Sequence, residues 1–341
     1  MDGYAVRAEN TPGTLRVVGE QPAGRIRNLE VRAGEAVRIF TGACLPNGAN
    51  AVVMQEDVTV ENDHVRISDR IEVGEFVRHT GGDICAGQEI LRTGDPITPA
   101  RLALLTACGI ESILVHPLPR IGILTTGDEV RPMGTPLQPG EIHDSNGPML
   151  TALLAPHGRI VATKHAPDDP AAVADTLSAW QAETDVVVIS AGVSVGDHDP
   201  VRVAIDSTGA HVSFWKVAVK PGKPLLLAKA GGQTIFGLPG NPVSTYVTAL
   251  LFVIPALLRL AGAPLHLARP KFDTLPIGVD LENPDARPHY LRVRIESGHA
   301  VPVGTQASHG LSGLARCDAL IRLPENSRHP AGTLLPALRL T

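Results

Sequence analysis

The sequence has few aromatic residues, no basic run and no long apolar run. Only 3% of its 341 residues are aromatic, and 30 Lys and Arg face 35 Asp and Glu, which gives a formal charge of −5. A nucleic-acid surface needs a positive stripe with stacking side chains, so we expect no nucleic-acid partner. The longest apolar run, residues 249–258, falls short of the roughly 20 residues of a membrane span, so we expect no membrane partner.

Secretory and metal-binding signals are also missing. Met1 is followed by an acidic residue and not by a secretory apolar segment of about 7–15 residues, so we expect a cytoplasmic protein. The four cysteines form no Cys-x-x-Cys pair, which excludes the common metal and redox spacings. We expect them to be small buried apolar side chains.

Glycine and proline, in contrast, are abundant. The 34 Gly and 29 Pro make up roughly 18% of the chain, against an ordinary share of about 12%, which predicts many tight turns. At about 150 residues per domain, the length predicts two or three domains.

The apolar pattern predicts a β-rich N-terminal subdomain over residues 1–82. Short β-rich segments lie at residues 15–18, 36–40, 51–54 and 64–67, and turn residues separate them. Residues 83–117 follow as a separate segment, and the family resemblance given below implies that they are the remaining part of an elongated linker or dimer region. This part contains one clear helix, which begins after Thr98 at the N-cap and ends at Gly109.

From residue 118 to 266 strand and helix patterns alternate, which predicts a three-layer α/β domain with a mostly parallel sheet. Its last helix, over residues 242–260, is expected to bend at Pro255. Residues 267–341 return to short strands, which predicts a small C-terminal β-barrel or a sandwich. The whole chain is therefore a multidomain α/β protein with β subdomains.

Two loops that follow predicted strands of the central domain carry carboxylates. Residues 125–129 form a small-residue turn with Asp128 and Glu129. Residues 190–199 contain glycines that let backbone amides approach a phosphate, and carboxylates able to hold a metal.

Two further loops of the central domain suit an anion. Lys220 and Lys223 lie three residues apart in a turn stiffened by proline, which suits an oxyanion or a phosphate. Residues 238–244 bring a helix N-terminus to the edge where the strands of such a sheet end.

Each of these loops also has a purely structural interpretation. Asp199-Pro200 and Asn241-Pro242 are ordinary starts of helices, and the two lysines also suit a solvated turn. Carboxylates, cations and glycine loops at one sheet edge together favour a binding site.

These motifs, together with Gly140-Glu141-Ile142-His143-Asp144-Ser145-Asn146, resemble those of the molybdopterin molybdenumtransferase family, which includes the E domain of gephyrin. The resemblance extends to Asp2-Gly3-Tyr4-Ala5, to residues 39–43 and 82–84 and to residues 314–316. It therefore covers nearly the whole chain, and the central domain would be the molybdopterin-binding domain.

The resemblance implies a homodimer that inserts molybdate into adenylylated molybdopterin and releases AMP, with Mg²⁺ as the metal. The upstream donor would be a molybdopterin adenylyltransferase. The catalytic residues would be Asp199, Glu129, Asp168, Lys220 and Lys223, of which Asp199 and Glu129 hold the metal. Molybdate would contact Lys223, Arg287 and Ser308. Substrate-binding residues would be Thr126, Gly127, Asp128, Gly192, Ser194, Pro239, Gly240, Pro242 and Ser244, completed across the dimer by Asp2, Thr41 and Asp83.

The sequence departs from the family pattern at three places. Ala191 replaces a usual glycine, and Pro200 stands where the family often has an aromatic residue. The family also carries a segment before the Asp-Gly-Tyr-Ala motif, so we hypothesise that Met1 is an internal methionine, the alternative being a short protein.

Two other functions fit parts of the pattern. A molybdopterin adenylyltransferase shares the α/β domain, but its usual form lacks flanking β regions. A non-catalytic homodimeric scaffold of the gephyrin type would need none of Glu129, Asp199, Lys220 and Lys223, which the sequence has.

Overall fold

The computed structural model describes residues 1–190 and 200–340. The chain divides into two compact units, Met1–Ile90 and Leu91–Thr341. The predicted class, multidomain α/β with β subdomains, is confirmed, as the sheets of the two units show.

The first unit is built on one six-stranded sheet, which confirms the β-rich N-terminal subdomain. Its strands are β1 Gly3–Val6, β2 Gly13–Gln21, β3 Glu35–Ile39, β4 Ala51–Met54, β5 Val58–Glu61 and β6 His64–Ile67, with 3₁₀ turns at Ala8–Asn10 and Gln55–Asp57. The strand order is β4-β1-β3-β2-β6-β5, in which only β2 and β3 run parallel.

Strand β1 was not predicted from the sequence, although all four of its residues are buried. It lies between β3 and β4 and pairs with both. A Cβ atom on Gly3 would lie 1.9 Å from the Val53 carbonyl oxygen, so only glycine fits there. The motif that opens the chain thus lies inside the sheet.

The predicted helix after residue 98 is present as α1, Pro99–Ala107. The Thr98 hydroxyl accepts a hydrogen bond from the Arg101 N–H, and Pro99 occupies the first turn, as an N-cap followed by proline requires. The chain reaches Gly109, in the left-handed region, just after this helix.

The central domain alternates strands and helices as predicted. The elements up to the last helix are β7 Arg120–Thr126, β8 Val130–Arg131, β9 Ile142–His143, α2 Asn146–Leu154, a 3₁₀ turn Ala155–His157, β10 Arg159–Ala166, α3 Pro170–Trp180, β11 Val186–Ser190, α4 Pro200–Ser207, β12 His211–Lys216, β13 Pro224–Ala230 and β14 Gln233–Leu238.

The main sheet of this domain has the order β10-β7-β11-β14-β13-β12. The first four strands are parallel, and β13 runs antiparallel to both of its neighbours, β14 and β12. Alternate residues of β11 point to opposite faces, and Val187 packs with α3 and α4 while Val188 packs with α2 and the last helix. Both faces of the sheet are therefore covered, which confirms the three-layer αβα domain and explains why β11 is apolar throughout.

The last helix runs from Pro242 to Leu260 in three parts, α5 Pro242–Thr248, a π-helical turn Ala249–Val253 and α6 Ile254–Leu260. The predicted irregularity at Pro255 takes the form of this wider turn, in which the Ile254 N–H bonds the Ala249 carbonyl. By length and hydropathy this run resembles a membrane span, but Val247, Val253 and Leu257 are fully buried inside the domain, as in a core helix.

The C-terminal region confirms the small barrel. Its elements are α7 Leu265–Ala268, β15 Asp273–Pro276, β16 Leu281–Asn283, β17 His289–Glu296, β18 His299–Pro302, α8 Leu311–Leu314, β19 Ala319–Leu323, β20 Ser327–His329 and β21 Leu334–Arg339. The sheet order is β15-β21-β19-β17-β18. A bridge between Ile277 and Ala300 joins its two edges, and the Gly278 N–H donates to the Ala300 carbonyl at 2.9 Å.

The expectation that the cysteines are buried is wrong. Cys44, Cys85 and Cys108 are exposed, and Cys317 is half-buried. Cys44 and Cys85 lie in loops, and Cys108 caps the end of α1, where the fold offers no core to enter. All four are free thiols.

Candidate functional site

A cavity of about 730 Å³ opens where the parallel strands of the central sheet end. Its lining comes from the ends of β7 and β11, the start of α2, the loop before α5 and the segment before α8. The described lining residues are Thr125, Thr126, Gly127, Glu129, Val130, Ile142, His143, Asp144, Ser145, Asn146, Asp168, Ser190, Pro200, Pro224, Pro239, Gly240, Asn241, Pro242, His309 and Leu311.

The loop after β7 forms one wall. Thr126 is only 6% exposed, and its hydroxyl oxygen is buried and has no hydrogen-bond partner among the described residues. Gly127 has φ of 141°, and a Cβ there would lie 2.8 Å from Val130 Cγ2, so the turn requires glycine. The glycine turn directs the chain back toward the short β8–β9 ribbon, where the Ile142 N–H donates to the Glu129 carbonyl at 2.8 Å.

Two of the predicted acidic residues line this cavity. The carboxylates of Glu129 and Asp168 are exposed and have no ion pair with the described residues. Asp128 does not line the cavity, but its Oδ1 accepts a hydrogen bond from the Asp168 N–H at 3.1 Å and so connects the loops after β7 and β10. The structure thus brings together Asp128, Glu129 and Asp168.

Asp144 and Asn146 organise the centre of the cavity. The Asp144 carboxylate accepts from the Thr125 hydroxyl at 2.9 Å and from the Gly147 N–H at 2.9 Å. The Asn146 amide nitrogen donates to the Ser190 hydroxyl at 2.9 Å and to the Gly240 carbonyl at 2.7 Å. The side chains of Asp144 and Asn146 therefore link the ends of β7 and β11, the start of α2 and the loop before α5.

The loop before α5 contributes Pro239, Gly240 and Pro242 to the lining, as predicted. Ser244 instead is buried in the helix, away from the lining, at 4% exposure. Ser308 does not line the cavity either, but its carbonyl accepts from the Val243 N–H at 3.0 Å. This contact seats the barrel segment against the start of α5, next to the lining residues His309 and Leu311.

Lys220 and Arg287 come together around an acid that the sequence analysis did not single out. Arg287 donates to both carboxylate oxygens of Asp285, at 3.1 and 2.9 Å, and Lys220 Nζ lies 3.6 Å from Asp285 Oδ2. The hydrogen bonds from Arg287 lower the pKa of Asp285 to about 2. We call Lys220, Asp285 and Arg287 the cation cluster; none of the three lines the cavity.

Two residues close in sequence to members of the cation cluster, His289 and Lys223, differ in burial. His289 pairs with Lys220 through a backbone bridge, and burial lowers the pKa of its imidazole to about 4, helped by the charge of Lys220. The Lys223 side chain is exposed and has no ion pair with the described residues. Lys223 belongs neither to the cavity lining nor to the cation cluster, although Pro224 beside it lines the cavity.

Asp2 and Thr41 meet inside the first unit. Asp2 Oδ1 accepts from the Thr41 N–H at 2.8 Å and from its hydroxyl at 2.9 Å, and these bonds lower the pKa of Asp2. Thr41 also lines a cavity of about 510 Å³ in that unit. Asp83 is exposed and contacts neither of them through a described hydrogen bond.

Gly192, Ser194 and Asp199 lie outside the described residues, as does Ala191. Within residues 1–190 and 200–340, no group of three His, Cys, Asp or Glu side chains has the arrangement of a metal site. The roles assigned to these residues, like those of the other site residues, stay predictions.

Sequence reasoning missed several lining residues. Asp144 and Asn146 lay within a quoted motif, yet their hydrogen bonds join loops up to 94 residues apart, which no local pattern reveals. His309 and Leu311 come from the barrel and carry no motif. Asp285 stands two residues before Arg287, and this spacing was the available signal for the ion pair.

Three family models match the chain in succession. The MoeA N-terminal region (domain I and II) matches residues 1–109, a probable molybdopterin binding domain matches residues 122–259, and the MoeA C-terminal region (domain IV) matches residues 274–340.

Individual proteins match over most of their length. The chain is 37% identical to molybdopterin molybdenumtransferase 2 of Mycobacterium tuberculosis, covering 100% of this chain and 88% of that protein. It is 34% identical to the molybdopterin molybdenumtransferase of Haemophilus influenzae, covering 95% and 82%. The solved structure of a molybdopterin biosynthesis MoeA protein from Pyrococcus horikoshii matches with a TM-score of 0.83 at 29% identity, covering 99% and 86%. The chain therefore belongs to the molybdopterin molybdenumtransferase family.

Proposed function

We propose that this protein inserts molybdate into adenylylated molybdopterin and releases AMP. The observation that carries the proposal is the strand-end cavity of about 730 Å³, whose lining includes the exposed acidic residues Glu129 and Asp168. Its relatives are named for this transferase activity and match the chain across nearly its whole length.

We assign the two substrates to two regions, molybdate to the cationic residues and the organic substrate to the strand-end cavity. Molybdate is a tetrahedral dianion, and we assign its charge-assisted hydrogen bonds to Lys220, Arg287 and Lys223, with Ser308 as a further contact. Asp285 holds the Arg287 guanidinium through two hydrogen bonds, so that the planar group keeps one orientation. The strand-end cavity takes the organic substrate, whose phosphoanhydride breaks when AMP leaves.

We assign Mg²⁺ to the carboxylates of this cavity, with Glu129 and Asp199 as its ligands and Asp168 as a further acidic residue. Mg²⁺ takes oxygen ligands, and it is commonly bound by one or two carboxylates together with water and substrate phosphates. Glu129 and Asp168, free of ion pairs with the described residues, match that donor set. Bound there, the metal would stabilise charge on the phosphoanhydride oxygens.

We also assign contacts with the organic substrate to the remaining predicted binding residues. We assign substrate contacts to Thr126, Gly127, Asp128, Pro239, Gly240, Pro242 and Ser244 of the described part, and to Gly192 and Ser194 outside it. Asp2, Thr41 and Asp83 are assigned to completing the site from a second copy of the chain.

We propose a homodimer, which the exposed apolar side chains around α1 support. Leu102, Leu114, Val115 and Leu118 are each more than half exposed, and Leu114 is fully exposed at 103%. Apolar side chains clustered in one exposed stretch commonly mark an interaction surface. Sedimentation should give a dimer for the wild type and a monomer for Leu114→Glu; a wild-type monomer would contradict the assignment.

We further propose that the protein acts in the cytoplasm and receives its substrate from a molybdopterin adenylyltransferase. The substrate already carries the AMP group, so an adenylyl transfer must come before this reaction. An assay that couples such an enzyme to this chain should release AMP only when molybdate is added.

The test of the function is to incubate the protein with adenylylated molybdopterin, molybdate and Mg²⁺ and to measure AMP. Asp199→Ala should abolish molybdate-dependent release while the fold survives, because the variant loses a carboxylate that we assign to the metal. A folded dimeric wild-type protein that releases no AMP would favour the non-catalytic scaffold.

A further inference from the structure

Three hydrogen-bonded side chains connect the ends of β10 and β7 with the start of α2. His165 Nδ1 lies 3.2 Å from the Thr125 hydroxyl oxygen, and that oxygen lies 2.9 Å from Asp144 Oδ2. The other carboxylate oxygen of Asp144 accepts from the Gly147 N–H at 2.9 Å. His165 and Thr125 are register partners of the parallel strands β10 and β7, so the pairing of the sheet brings these two side chains together.

His165 lines a different cavity from the one that we assign to the organic substrate. This second space of about 610 Å³, which we call the edge cavity, is bordered by the edge strand β10 and by α2. His165 is not among the lining residues of the strand-end cavity, whereas Thr125 and Asp144 line both cavities. Any effect of His165 on a ligand in the strand-end cavity must therefore pass through Thr125 and Asp144.

The hydrogen positions in these bonds are assigned from what each group can donate. A carboxylate only accepts, so the Thr125 hydroxyl donates its single hydrogen to Asp144. The Thr125 oxygen then accepts from His165, whose Nδ1 must carry a hydrogen. Without that hydrogen, Nδ1 would be an acceptor and would compete with Asp144 for the Thr125 hydroxyl. The Nδ1–H of His165 therefore keeps the hydroxyl directed at Asp144.

Asp144 joins the end of β7 to the start of α2, because its two carboxylate oxygens bond one group on each. Asn146, two residues later, bonds the Ser190 hydroxyl at the end of β11 and the Gly240 carbonyl before α5. One short segment thus sets the relative positions of several parts of the strand-end cavity. Groups that position a substrate lose much of their effect when they move by about 1 Å.

We propose that His165 is a positioning residue for the organic substrate and acts through Thr125 on Asp144 and the start of α2. This inference rests on the proposed function, which assigns the organic substrate to the strand-end cavity. His165 itself contacts no substrate. Its loss should weaken binding of the organic substrate and leave molybdate, which we assign to the cationic residues, nearly unaffected.

The experiment compares His165→Asn with His165→Gln in the full chain. The amide nitrogen of asparagine can take the place of Nδ1, and that of glutamine the place of Nε2, so only His165→Asn restores a donor to Thr125. His165→Ala and His165→Gln should weaken AMP binding, measured by calorimetry, and raise the KM for adenylylated molybdopterin about fivefold. His165→Asn should stay within about twofold of the wild type, and the molybdate KM should change by less than about twofold in all three variants.

A second comparison uses Thr125→Val, which removes the hydroxyl in the middle of the three side chains. In this background His165→Ala should change AMP affinity by less than about twofold, because the bond that it removes is already absent. The control is His211→Ala, an exposed histidine on β12 at the opposite edge of the same sheet, which lines neither cavity. This control should keep the wild-type values. If Thr125→Val fails to fold, the comparison of asparagine with glutamine still decides the matter.

Three results would overturn the inference. They are equal AMP affinities in His165→Asn and His165→Gln, a full further loss from His165→Ala in the Thr125→Val background, and a rise in the molybdate KM as large as that for the organic substrate. If the wild type releases AMP in these cases, only the inference fails. A wild type that binds AMP with the expected pattern and releases none contradicts only the proposed function. A wild type that neither binds nor releases AMP contradicts both.

Discussion

The strand-end cavity and the cation cluster lie in the same unit and differ in the charged groups that they contain. Among its described lining residues the cavity has carboxylates and unpartnered polar atoms but no cation. The cation cluster has two cations already bound to one acid. The sequence predicted both sets of charge at one edge of the sheet. In the structure no residue of the cation cluster lines the cavity, and we propose that the organic substrate binds in the cavity and the oxyanion at the cluster.

The largest effect should come from removing a cavity carboxylate. Glu129→Gln keeps the size and exposure of the side chain but loses the charge that we assign to Mg²⁺. Because a metal contributes several kcal/mol to transition-state stabilisation, AMP release should fall by about 100-fold, with a higher Mg²⁺ requirement. Glu183→Gln, at another exposed position after α3, should leave the rate unchanged. If Glu129→Gln keeps the wild-type rate and needs the same Mg²⁺ concentration for half-maximal activity, Glu129 is not a ligand of the metal.

The next effect tests the other region. Arg287→Ala removes a charge-assisted donor to the dianion, which should raise the molybdate KM about 20-fold. Binding of AMP, measured separately by calorimetry, should change by less than about twofold, since the cavity is intact. Arg328→Ala, which breaks the exposed pair with Glu282, serves as the control. If Arg287→Ala weakened molybdate and AMP binding equally, the cavity and the cation cluster would not bind the two substrates separately.

Lys223→Ala should weaken molybdate binding by a smaller factor, about fivefold. Its ammonium group is exposed and its side chain contributes little to packing, so the melting temperature should move by less than about 1 °C. Lys229→Ala on β13 is the matched exposed lysine. An unchanged molybdate affinity in Lys223→Ala would show that Lys223 does not bind molybdate.

The smallest effect concerns pH. Asp285 has a folded-state pKa of about 2, below its ordinary value of 3.8, so its ion pairs add stability above pH 4 that is lost as the pH falls toward 2. Asp285→Asn should therefore melt about 1–3 °C lower than the wild type at pH 7, and this difference should shrink as the pH falls from 4 through 2. Asp57→Asn, exposed in the first unit, is the control. A difference that grows as the pH falls would contradict the assigned pairing.

Sequence reasoning recovered the elements whose signals are local. Residues 51–54, 64–67, 186–190 and 319–323 are strands with the predicted bounds, because runs of β-branched and apolar residues end there at turn residues. The capped start of α1 was predicted for the same reason, as Thr98 and Pro99 are adjacent.

The elements it missed depend on distant partners. Strand β1 is short and begins with glycine, and it exists because β3 and β4 pair with it on both sides. At the site, the loops bearing Glu129 and Pro239 were predicted from their position after strands, whereas Asp168 was predicted only from the family resemblance. The bridge made by Asn146 was not, because Ser190 and Gly240 are 44 and 94 residues away in the chain.

The bridge between Ile277 and Ala300 has a consequence for the behaviour of the protein at high concentration. A sheet with open edges offers unpaired backbone groups on which another chain can add a strand, and charged or covered edges only reduce that risk. The C-terminal sheet joins its own edges, with Gly278 fitting where a Cβ would lie 2.9 Å from Val301 Cγ2. The barrel is thereby protected from edge-to-edge aggregation, a protection that any larger side chain at Gly278 would weaken.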